Sequence, residues 1–287
     1  MEHEGRIRKD IVMAVDSSSS CSQSADELEH LQISDRMQNI KHTFLVLSGK
    51  GGVGKSTVAV NLATTLAMDG YKVGLLDIDI HGPSIPKLLN IEDRLIKADG
   101  ENMLPVTVGE NLKVISIGLM SRDHDTAIIW RGPMKYQMIK QFLKNVEWGN
   151  LDYLVIDSPP GTGDEPLSIA QLLENPDGAI IVTTPQDVAL ADVRKGINFC
   201  KSMQLPVLGV IENMSGFVCP KCSEVIDIFK SGGGEQMAAQ MGVPFLGRVP
   251  IDPQIVHSSD AGTPFVYHYA NSPAAIAFKQ AMNILIN

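Results

Sequence analysis

The amino-acid sequence predicts an α/β fold with a mostly parallel, twisted sheet and helices on both of its faces. From residue 43 onward, short apolar runs alternate with segments of helical periodicity, the pattern of parallel strands joined by helices. A glycine-rich phosphate-binding pattern stands between the first apolar run and the first helical segment. Aspartates close two further apolar runs, at the edge where open sheets of this class bind ligands.

The individual elements follow from local periodicity. The predicted strands are short apolar runs with polar or turn residues after them, at residues 44–48, 73–77, 112–117, 153–157, 179–183, 207–212 and 245–248. The predicted helices repeat apolar residues three and four positions apart, at residues 55–68, 132–146, 165–173, 188–203, 232–241 and 274–285. No internal repeat and no linker divides this part of the chain, so we expect one domain over residues 41–287.

Residues 1–40 differ in composition from the rest of the chain. They contain the serine run 17–20 and many charges, and they have no sustained apolar face. Such a segment cannot bury enough apolar surface to offset the entropy lost on ordering. We therefore predict a mostly disordered tail with a short helix near residues 25–32. Cys21, which lies in this tail, is predicted to be incidental.

Charge and composition limit the partners and the compartment. The chain has 287 residues and a formal net charge of −9, which argues against a nucleic-acid groove or an anionic-membrane patch. No apolar stretch reaches the roughly 18 residues that a membrane-spanning helix needs, and the N-terminus lacks the apolar core of a signal peptide. Four cysteines in a chain of this length do not form a disulfide framework. We expect a cytoplasmic protein that binds neither nucleic acid nor a membrane.

The phosphate-binding pattern G-x-x-x-x-G-K-[ST] is the most specific motif in the chain. It is formed by Gly49, Lys50, Gly51, Gly52, Val53, Gly54, Lys55, Ser56 and Thr57. Its glycines allow backbone N–H groups to face a phosphate, and the helix that follows adds the positive end of its dipole. Lys55 is expected to reach the β- and γ-phosphates of a nucleotide, and the Ser56 hydroxyl is expected to bind Mg²⁺.

Carboxylates stand at the ends of two other predicted strands. Asp77 and Asp79 are two positions apart, so their side chains point the same way, and Asp157 closes the apolar run 154–156. One carboxylate of the first pair can hold a water bound to Mg²⁺ and the other can orient the attacking water. Asp157 matches the acidic residue that holds Mg²⁺ in phosphate-loop sites, and the Pro-Pro-Gly loop after it is expected to move with the nucleotide.

Two later segments are candidates for contact with the base of the nucleotide. Asn213 follows the predicted strand 207–212, and its amide can form two hydrogen bonds with the edge of adenine. The segment 249–253, with Pro250 and Asp252, is expected to close over the same base.

Cys219 and Cys222 form a C-x-x-C pair just beyond Asn213. A single pair of this kind is compatible with half a zinc site, a redox pair or two buried thiols. Tetrahedral zinc and a [4Fe–4S] cluster both commonly take four cysteine ligands, and neither Cys200 nor Cys21 is an obvious third ligand. Two chains related by a two-fold axis offer four. A metal site on these cysteines is therefore expected to bridge a dimer, and thiolate ligation alone does not distinguish zinc from iron–sulfur.

Together these motifs resemble the deviant-Walker-A group of P-loop ATPases, which includes MinD, ParA and the nitrogenase iron protein. Within this group the chain resembles the Mrp/ApbC family of iron–sulfur cluster carriers. The resemblance rests on motifs that occur in the family's order from about residue 43 to the C-terminus, at residues 50–56, 77–84, 130–133, 157–164, 184–187, 213–215 and 219–222.

The resemblance implies a homodimer with two ATP sites and a labile [4Fe–4S] cluster that is shared between subunits and delivered to apoproteins. It assigns Lys50 to the phosphates bound by the partner chain, as a charge clamp comparable to an arginine finger. Asp79 becomes the residue that positions water and Asp157 the Mg²⁺ ligand, while Asn213 reads adenine. Ser56, Asp79 and Asp157 together form the expected Mg²⁺ site, and Lys50, Lys55 and Asp79 the catalytic set.

The resemblance also implies ATPase activity, which we expect to be slow, because only Lys50 and Asp79 supply charge stabilisation and water positioning. Cys21 alone cannot form the additional N-terminal cluster motif of some eukaryotic relatives, and the tail leaves no room for the extra domain of many bacterial ones. A stand-alone accessory scaffold is expected to supply the role of this missing motif or domain. Arg131, in the Trp-Arg-Gly-Pro segment, fits a structural role as well as a nucleotide contact.

Two alternative functions stay open at this stage. One is a zinc-bridged dimer, since protein purified in air can hold zinc at a site of four thiolates. The other is a metal-free ATPase switch of the MinD or ParA type, which does not need Cys219 and Cys222. A MinD-like protein is expected to carry a basic amphipathic C-terminal helix, whereas residues 274–287 contain one lysine.

Overall fold

A computed structural model of the protein describes residues 27–80, 82–121, 131–173, 175–219 and 221–286. A first helix, α1, spans residues 27–37. The strands are β1 (Ile40–Ser48), β2 (Val73–Asp77), β3 (Lys97–Asp99), β4 (Asn102–Leu104), β5 (Val106–Val108), β6 (Leu112–Ser116), β7 (Leu151–Asp157), β8 (Gly178–Thr183), β9 (Val207–Val218), β10 (Val225–Ile226) and β11 (Phe245–Ile251). The other helices are α2 (Lys55–Met68), α3 (Ile85–Leu88), α4 (Gly132–Asn145), α5 (Asp164–Leu172), α6 (Asp187–Ser202), α7 (Gly233–Met241), α8 (Pro253–Asp260), α9 (Phe265–His268) and α10 (Pro273–Ile286).

One nine-stranded sheet organises the fold, and it confirms the predicted α/β class. Eight of its strands run in the order β10-β9-β8-β1-β7-β2-β6-β5, and β11 pairs with β9. The pairs are parallel except for β9 with β10 and β5 with β6. Strands β3 and β4 form a separate antiparallel pair.

The hydrophobic core lies on both faces of this sheet because successive strand residues point to opposite sides. In β7, Tyr153 and Val155 pack on the face covered by α2 and α10, whereas Leu154 and Ile156 pack on the face covered by α4 and α6. The second face buries the ring of Phe142 completely. Helices on both sides therefore explain why the central strands carry apolar residues on both of their faces.

Helix α1 docks on the sheet domain, where the sequence predicted a mostly disordered tail as far as residue 40. Ile33 is buried in the core on the α4 side. Glu29 pairs with Lys140 at 2.8 Å and with Lys144 at 3.4 Å, and the Arg36 guanidinium donates to the backbone oxygen of Lys144. One buried apolar residue, two ion pairs and one hydrogen bond to a backbone oxygen therefore hold this segment against α4. Residues 1–26, including Cys21, lie outside the described residues.

The predicted elements agree with the structure within a few residues, with one important exception. The sequence predicted that the strand beginning at residue 207 ends at residue 212, but β9 continues to Val218. The extension is held by pairing of Phe217 with Ile251 of β11 and with Ile226 of β10. Asn213 therefore lies within a strand that leads directly to the cysteines. Among the described residues, no helix has both the length and the apolarity needed to cross a membrane.

Candidate nucleotide site and cysteine hairpin

Three adjacent strands bring the predicted phosphate-site residues together. Strand β7 lies between β1 and β2, and Asp157 at its end is in register with Val46 of β1 and Asp77 of β2. The loop 49–54 leaves the end of β1 and leads into α2. Because the carboxyl ends of all three parallel strands lie at the same edge of the sheet, the loop faces the carboxylates of the other two strands.

Two glycines of the loop have physical requirements that exclude a side chain. Gly54 has a φ of 86°, and a Cβ atom there would overlap the amide nitrogen of Asn213. A Cβ atom on Gly49 would lie 2.6 Å from the backbone carbon of Asp192 in α6. The loop thus packs closely between α6 and β9, which fixes its backbone beside the first turn of α2.

Lys55 is the centre of a buried charge cluster. Its Nζ lies 2.6 Å from Oδ1 of Asp157, 3.6 Å from Oδ2 of Asp79 and 3.3 Å from the hydroxyl of Ser56. The Lys55 side chain is 6% exposed and that of Asp157 is fully buried. A bound phosphate would compete for the same ammonium group, so nucleotide binding requires Lys55 to exchange part of its carboxylate contacts for phosphate oxygens.

Asp77 adds a third carboxylate to this cluster. It accepts hydrogen bonds from the Ser116 hydroxyl at 2.8 Å and from the backbone N–H of Asp79 at 3.1 Å. Burial, with the nearby charge of Asp157, raises the pKa of Asp77 to about 8. The contact with the Asp79 backbone fixes the turn that carries Asp79. Ser116, at the end of β6, has no motif that could have identified it from the sequence.

The cluster contains three carboxylates and one lysine, so carboxylate oxygens remain that can bind a cation. Burial raises the pKa of Asp157, and the Oδ2 atom of this residue has no hydrogen-bond partner among the described residues. An unpartnered, fully buried carboxylate oxygen next to a serine hydroxyl is the oxygen donor set that Mg²⁺ prefers. The residues therefore fit the expected Mg²⁺ site of Ser56, Asp79 and Asp157.

Lys50 lies apart from the buried cluster. Its side chain is half-buried, and no residue in the described ranges forms an ion pair with its ammonium group. The Ser48 hydroxyl donates to the Lys50 backbone oxygen at 3.0 Å, which constrains the backbone but not the side chain. The ammonium group of Lys50 is thus available to a nucleotide phosphate, whether the nucleotide is bound by the same chain or by another.

A cavity of about 250 Å³ lies beside the phosphate loop and contains the predicted base-contacting residues. It is mainly apolar, as a purine site requires. Its lining consists of Gly54, Thr57, Val58, Asn213, Met214, Phe229, Val249, Pro250, Ile251, Asp252, Ile255, Val256, Phe265 and Phe278. The structure therefore brings Asn213, Pro250 and Asp252 together, as predicted.

Two polar groups of this cavity already have partners within the chain. The Asn213 amide donates to the backbone oxygen of Val53 at 2.9 Å, which ties β9 to the phosphate loop. The Asp252 carboxylate accepts from the backbone N–H of Gln254 at 2.9 Å and so caps α8. Met214 and Phe229 also line this cavity, and the sequence carries no signal for either. The local pattern of Met214 does not show which side of β9 it faces, and Phe229 reaches the cavity from the segment after β10.

Cys219 and Cys222 lie at the tip of the hairpin formed by β9 and β10. The backbone N–H of Cys219 donates to Glu224, and the N–H of Ser223 donates to Cys219, both at 2.9 Å. Both cysteines are free thiols, Cys219 half-buried and Cys222 exposed. Within the described residues, no group of three or more histidine, cysteine or acidic side chains is arranged to hold a metal ion.

The cysteines differ in acidity for physical reasons. Hydrogen bonds from the backbone N–H groups of Lys221 and Cys222 lower the pKa of Cys219. Burial raises the pKa of Cys200 to about 11. Cys219 is therefore suited to act as a thiolate ligand, whereas Cys200 behaves as an apolar core residue of α6.

This difference predicts the order in which native protein is alkylated. Iodoacetamide at pH 7.5 is expected to modify Cys219 and Cys222 well before Cys200, because the first two are accessible and Cys219 forms a thiolate more readily. Peptide mass mapping of timed samples measures each cysteine separately. Cys200→Ala should leave the two fast rates unchanged. Modification of Cys200 at the same rate in folded protein would contradict the assigned burial.

Comparisons with known proteins place this combination of sites in a family. The family model of ParA-type, NUBPL iron-transfer P-loop NTPases matches residues 39–286. The chain belongs to this family. A relative from Kluyveromyces lactis, named a cytosolic Fe-S cluster assembly factor, is 50% identical over 271 residues, which is 91% of this chain and 96% of the relative. A relative from Methanocaldococcus jannaschii, named an iron-sulfur cluster carrier protein, is 53% identical over 82% of this chain and 81% of its own.

Solved structures of the same fold include nucleotide-bound members. A nucleotide-binding protein from Archaeoglobus fulgidus in complex with ADP is 39% identical, with a TM-score of 0.75 over 87% of this chain and 96% of the other. The cell division ATPase MinD of Pyrococcus furiosus is 25% identical, with a TM-score of 0.64 over 85% of this chain and 98% of its own. This NUBPL-type NTPase thus has the MinD/ParA fold, and the resemblance predicted from its motifs is confirmed.

One motif residue stays without a functional assignment in this NTPase. Arg131 lies directly before α4 and is exposed, and Trp130 lies outside the described residues. The Arg131 backbone oxygen accepts hydrogen bonds from the N–H groups of Met134 and Lys135, which begins the helix. The structure therefore gives Arg131 a position at a helix start.

Proposed function

We propose that this protein binds and hydrolyses ATP and uses the nucleotide to control a [4Fe–4S] cluster held between two copies of the chain and delivered to apoproteins. The observation that carries the proposal is the position of the cysteine hairpin, because strand β9 lines the nucleotide cavity at Asn213 and continues directly to Cys219. Two thiols per chain, without a third ligand among the described residues, favour a site completed by a second copy. The names of the relatives, as a cluster carrier and a cytosolic assembly factor, support the cargo and a cytosolic location.

The phosphate site supports ATP hydrolysis by positioning and charge neutralisation. Lys55 transfers from Asp157 to the β- and γ-phosphates, and Asp79 orients the water that attacks the γ-phosphorus. The bond between that phosphorus and the bridging oxygen breaks, which releases ADP and inorganic phosphate. When bound at Ser56, Asp79 and Asp157, Mg²⁺ would neutralise charge on the phosphates. Lys50 of the second copy contributes a further positive charge, and the reaction is slow without a partner.

The cargo site and its partners follow from the thiols. Cys219 and Cys222 of each copy supply four thiolates to the shared cluster, and apoproteins with empty cysteine sites are the clients. A stand-alone scaffold is the proposed accessory partner. The same four thiolates can hold zinc, especially after purification in air.

Metal and sulfide analysis tests the cargo. Protein purified without oxygen is compared with the double variant Cys219→Ala/Cys222→Ala, with Cys200→Ala as the matched control. We expect about four iron and four sulfide per dimer and a brown chromophore in the wild type and the control, all lost in the double variant. About one zinc per dimer without sulfide would contradict the cluster and indicate a zinc-bridged dimer instead. Absence of metal from every sample would contradict a metal cargo and favour a metal-free ATPase switch of the MinD type.

A further inference from the structure

Phe229 links the cavity beside the phosphate loop to the chain segment that follows the cysteine hairpin. It lines the cavity beside the phosphate loop, yet it lies in the segment that returns from the cysteine hairpin, seven positions after Cys222. Its side chain is 38% exposed, so it is not a core residue whose position packing alone explains. The neighbouring Ile228 is 53% exposed and does not line the cavity.

The cysteine hairpin has two connections to the nucleotide cavity. The outgoing strand β9 runs from Asn213, which is bonded to the phosphate loop, to Val218 just before Cys219. The returning chain passes through β10, where Val225 and Ile226 pair with Val218 and Phe217, and reaches the cavity again at Phe229. Both cysteines therefore lie on a loop whose two ends contact the same cavity.

The returning segment is fixed on the far side of Phe229. The buried carboxylate of Glu212, in β9, accepts hydrogen bonds from the N–H groups of Gly232, at 2.8 Å, and of Gly234, and from the Ser215 hydroxyl. Lys230 also pairs with Asp187 at 2.6 Å. Phe229 is thus held between the β9–β10 pairing and the Glu212 anchor, so a displacement of its ring is transmitted to the hairpin rather than absorbed by a loose loop.

We propose that Phe229 contacts the purine base and couples the occupancy of the nucleotide site to the cysteine hairpin. The inference rests on the proposed function, because it assigns a base to this cavity. A planar, polarisable base packs favourably against an aromatic ring, whereas inorganic phosphates make no such contact. A ligand changes a conformational equilibrium only through contacts that differ between the two states, and the Phe229 ring supplies such a contact in the segment that returns directly from the hairpin.

Nucleotide binding tests the base contact. Phe229→Ala is expected to weaken ADP binding about threefold to tenfold and to leave the affinity for inorganic tripolyphosphate unchanged, because only ADP carries a base. Phe229→Leu, which keeps an apolar side chain, serves if the alanine variant does not fold, and Ile228→Ala is the matched control. Unchanged ADP binding, or an equal loss for tripolyphosphate, would overturn the contact.

Thiol reactivity tests the coupling. In the wild type, saturating ADP is expected to change the alkylation rates of Cys219 and Cys222 severalfold, and in Phe229→Ala at saturating ADP the rates should equal those without nucleotide. Ile228→Ala should keep the wild-type response. An ADP response that persists in Phe229→Ala, or is absent from the wild type, would overturn the coupling.

These assays need neither iron nor sulfide, so their outcome is independent of the cluster. Protein that binds a cluster but lacks the Phe229 effects would disprove this inference alone. Protein with the Phe229 effects and no cluster would disprove the proposed cargo alone.

Discussion

Lys50→Ala is expected to lower the rate of ATP hydrolysis about 10³-fold and to leave ATP binding to each protomer nearly unchanged. In the structure, the Lys50 ammonium group lies outside the buried cluster around Lys55 and forms no ion pair with a described residue. The proposed contact of Lys50 with the partner's γ-phosphate would stabilise the transition state more than the ground state, so the loss is expected in kcat. Steady-state phosphate release and equilibrium nucleotide binding measure the two quantities.

Mixing two inactive variants distinguishes a lysine that acts across the dimer from one that acts in its own chain. Asp79→Asn is expected to be inactive because its site lacks the residue proposed to orient water. In a mixed dimer with Lys50→Ala, one site has its own Asp79 and receives an intact Lys50 from the partner. An equimolar mixture should therefore regain about a quarter of wild-type activity, since about half of the dimers are mixed and one site in each is complete.

A mixture that stays inactive would contradict a lysine that acts across the dimer. If Lys50 served its own phosphate loop, both sites of the mixed dimer would be defective and the mixture would stay inactive. Lys50→Arg is the matched variant, because it keeps the charge and should retain part of the activity. Dimer exchange is verified with differently tagged chains, so that a silent mixture of separate homodimers is not mistaken for a negative result.

Lys55→Ala is expected to abolish hydrolysis and also to destabilise the ligand-free protein by about 3 kcal/mol. Lys55 is the positive charge paired with the fully buried Asp157 at 2.6 Å, and it also faces Asp79. Removing it leaves a buried carboxylate that has to become protonated or be hydrated. Denaturant unfolding followed by circular dichroism measures the free energy of unfolding, and phosphate release measures the activity.

Lys41→Ala is the matched control for the stability effect. Lys41 also pairs with an aspartate at 2.8 Å, Asp152, but its side chain is 71% exposed. Solvent screens that pair, so its loss should produce no resolvable change in the unfolding midpoint. A Lys55→Ala protein as stable as the Lys41→Ala protein would contradict the assigned cost of leaving Asp157 unpaired.

Local sequence patterns were sufficient where an element depends on its own periodicity. The predicted bounds of α2 and β2 agree with the structure, because a helix after a phosphate loop and an apolar strand before an aspartate have clear local signals. The extension of β9 to Val218 was missed, since its last residues are held by pairing with β10 and β11 rather than by their own pattern. A short helix near residues 25–32 was predicted, but its extension to residue 37 and its docking on α4 were missed for the same reason, because contacts with α4 order it.

The sequence alone determined the chemical groups of this protein: a phosphate loop with two lysines, carboxylates after two strands, and a pair of cysteines beyond an asparagine. These depend on residue types at fixed spacings, which a linear chain displays directly. Only the tertiary structure decided that β7 lies between β1 and β2, so that Asp157 meets Lys55, and that Phe229 returns from the cysteines to the nucleotide cavity. Strand order and chain return bring together residues far apart in sequence, and their spacing carries no signal of that contact.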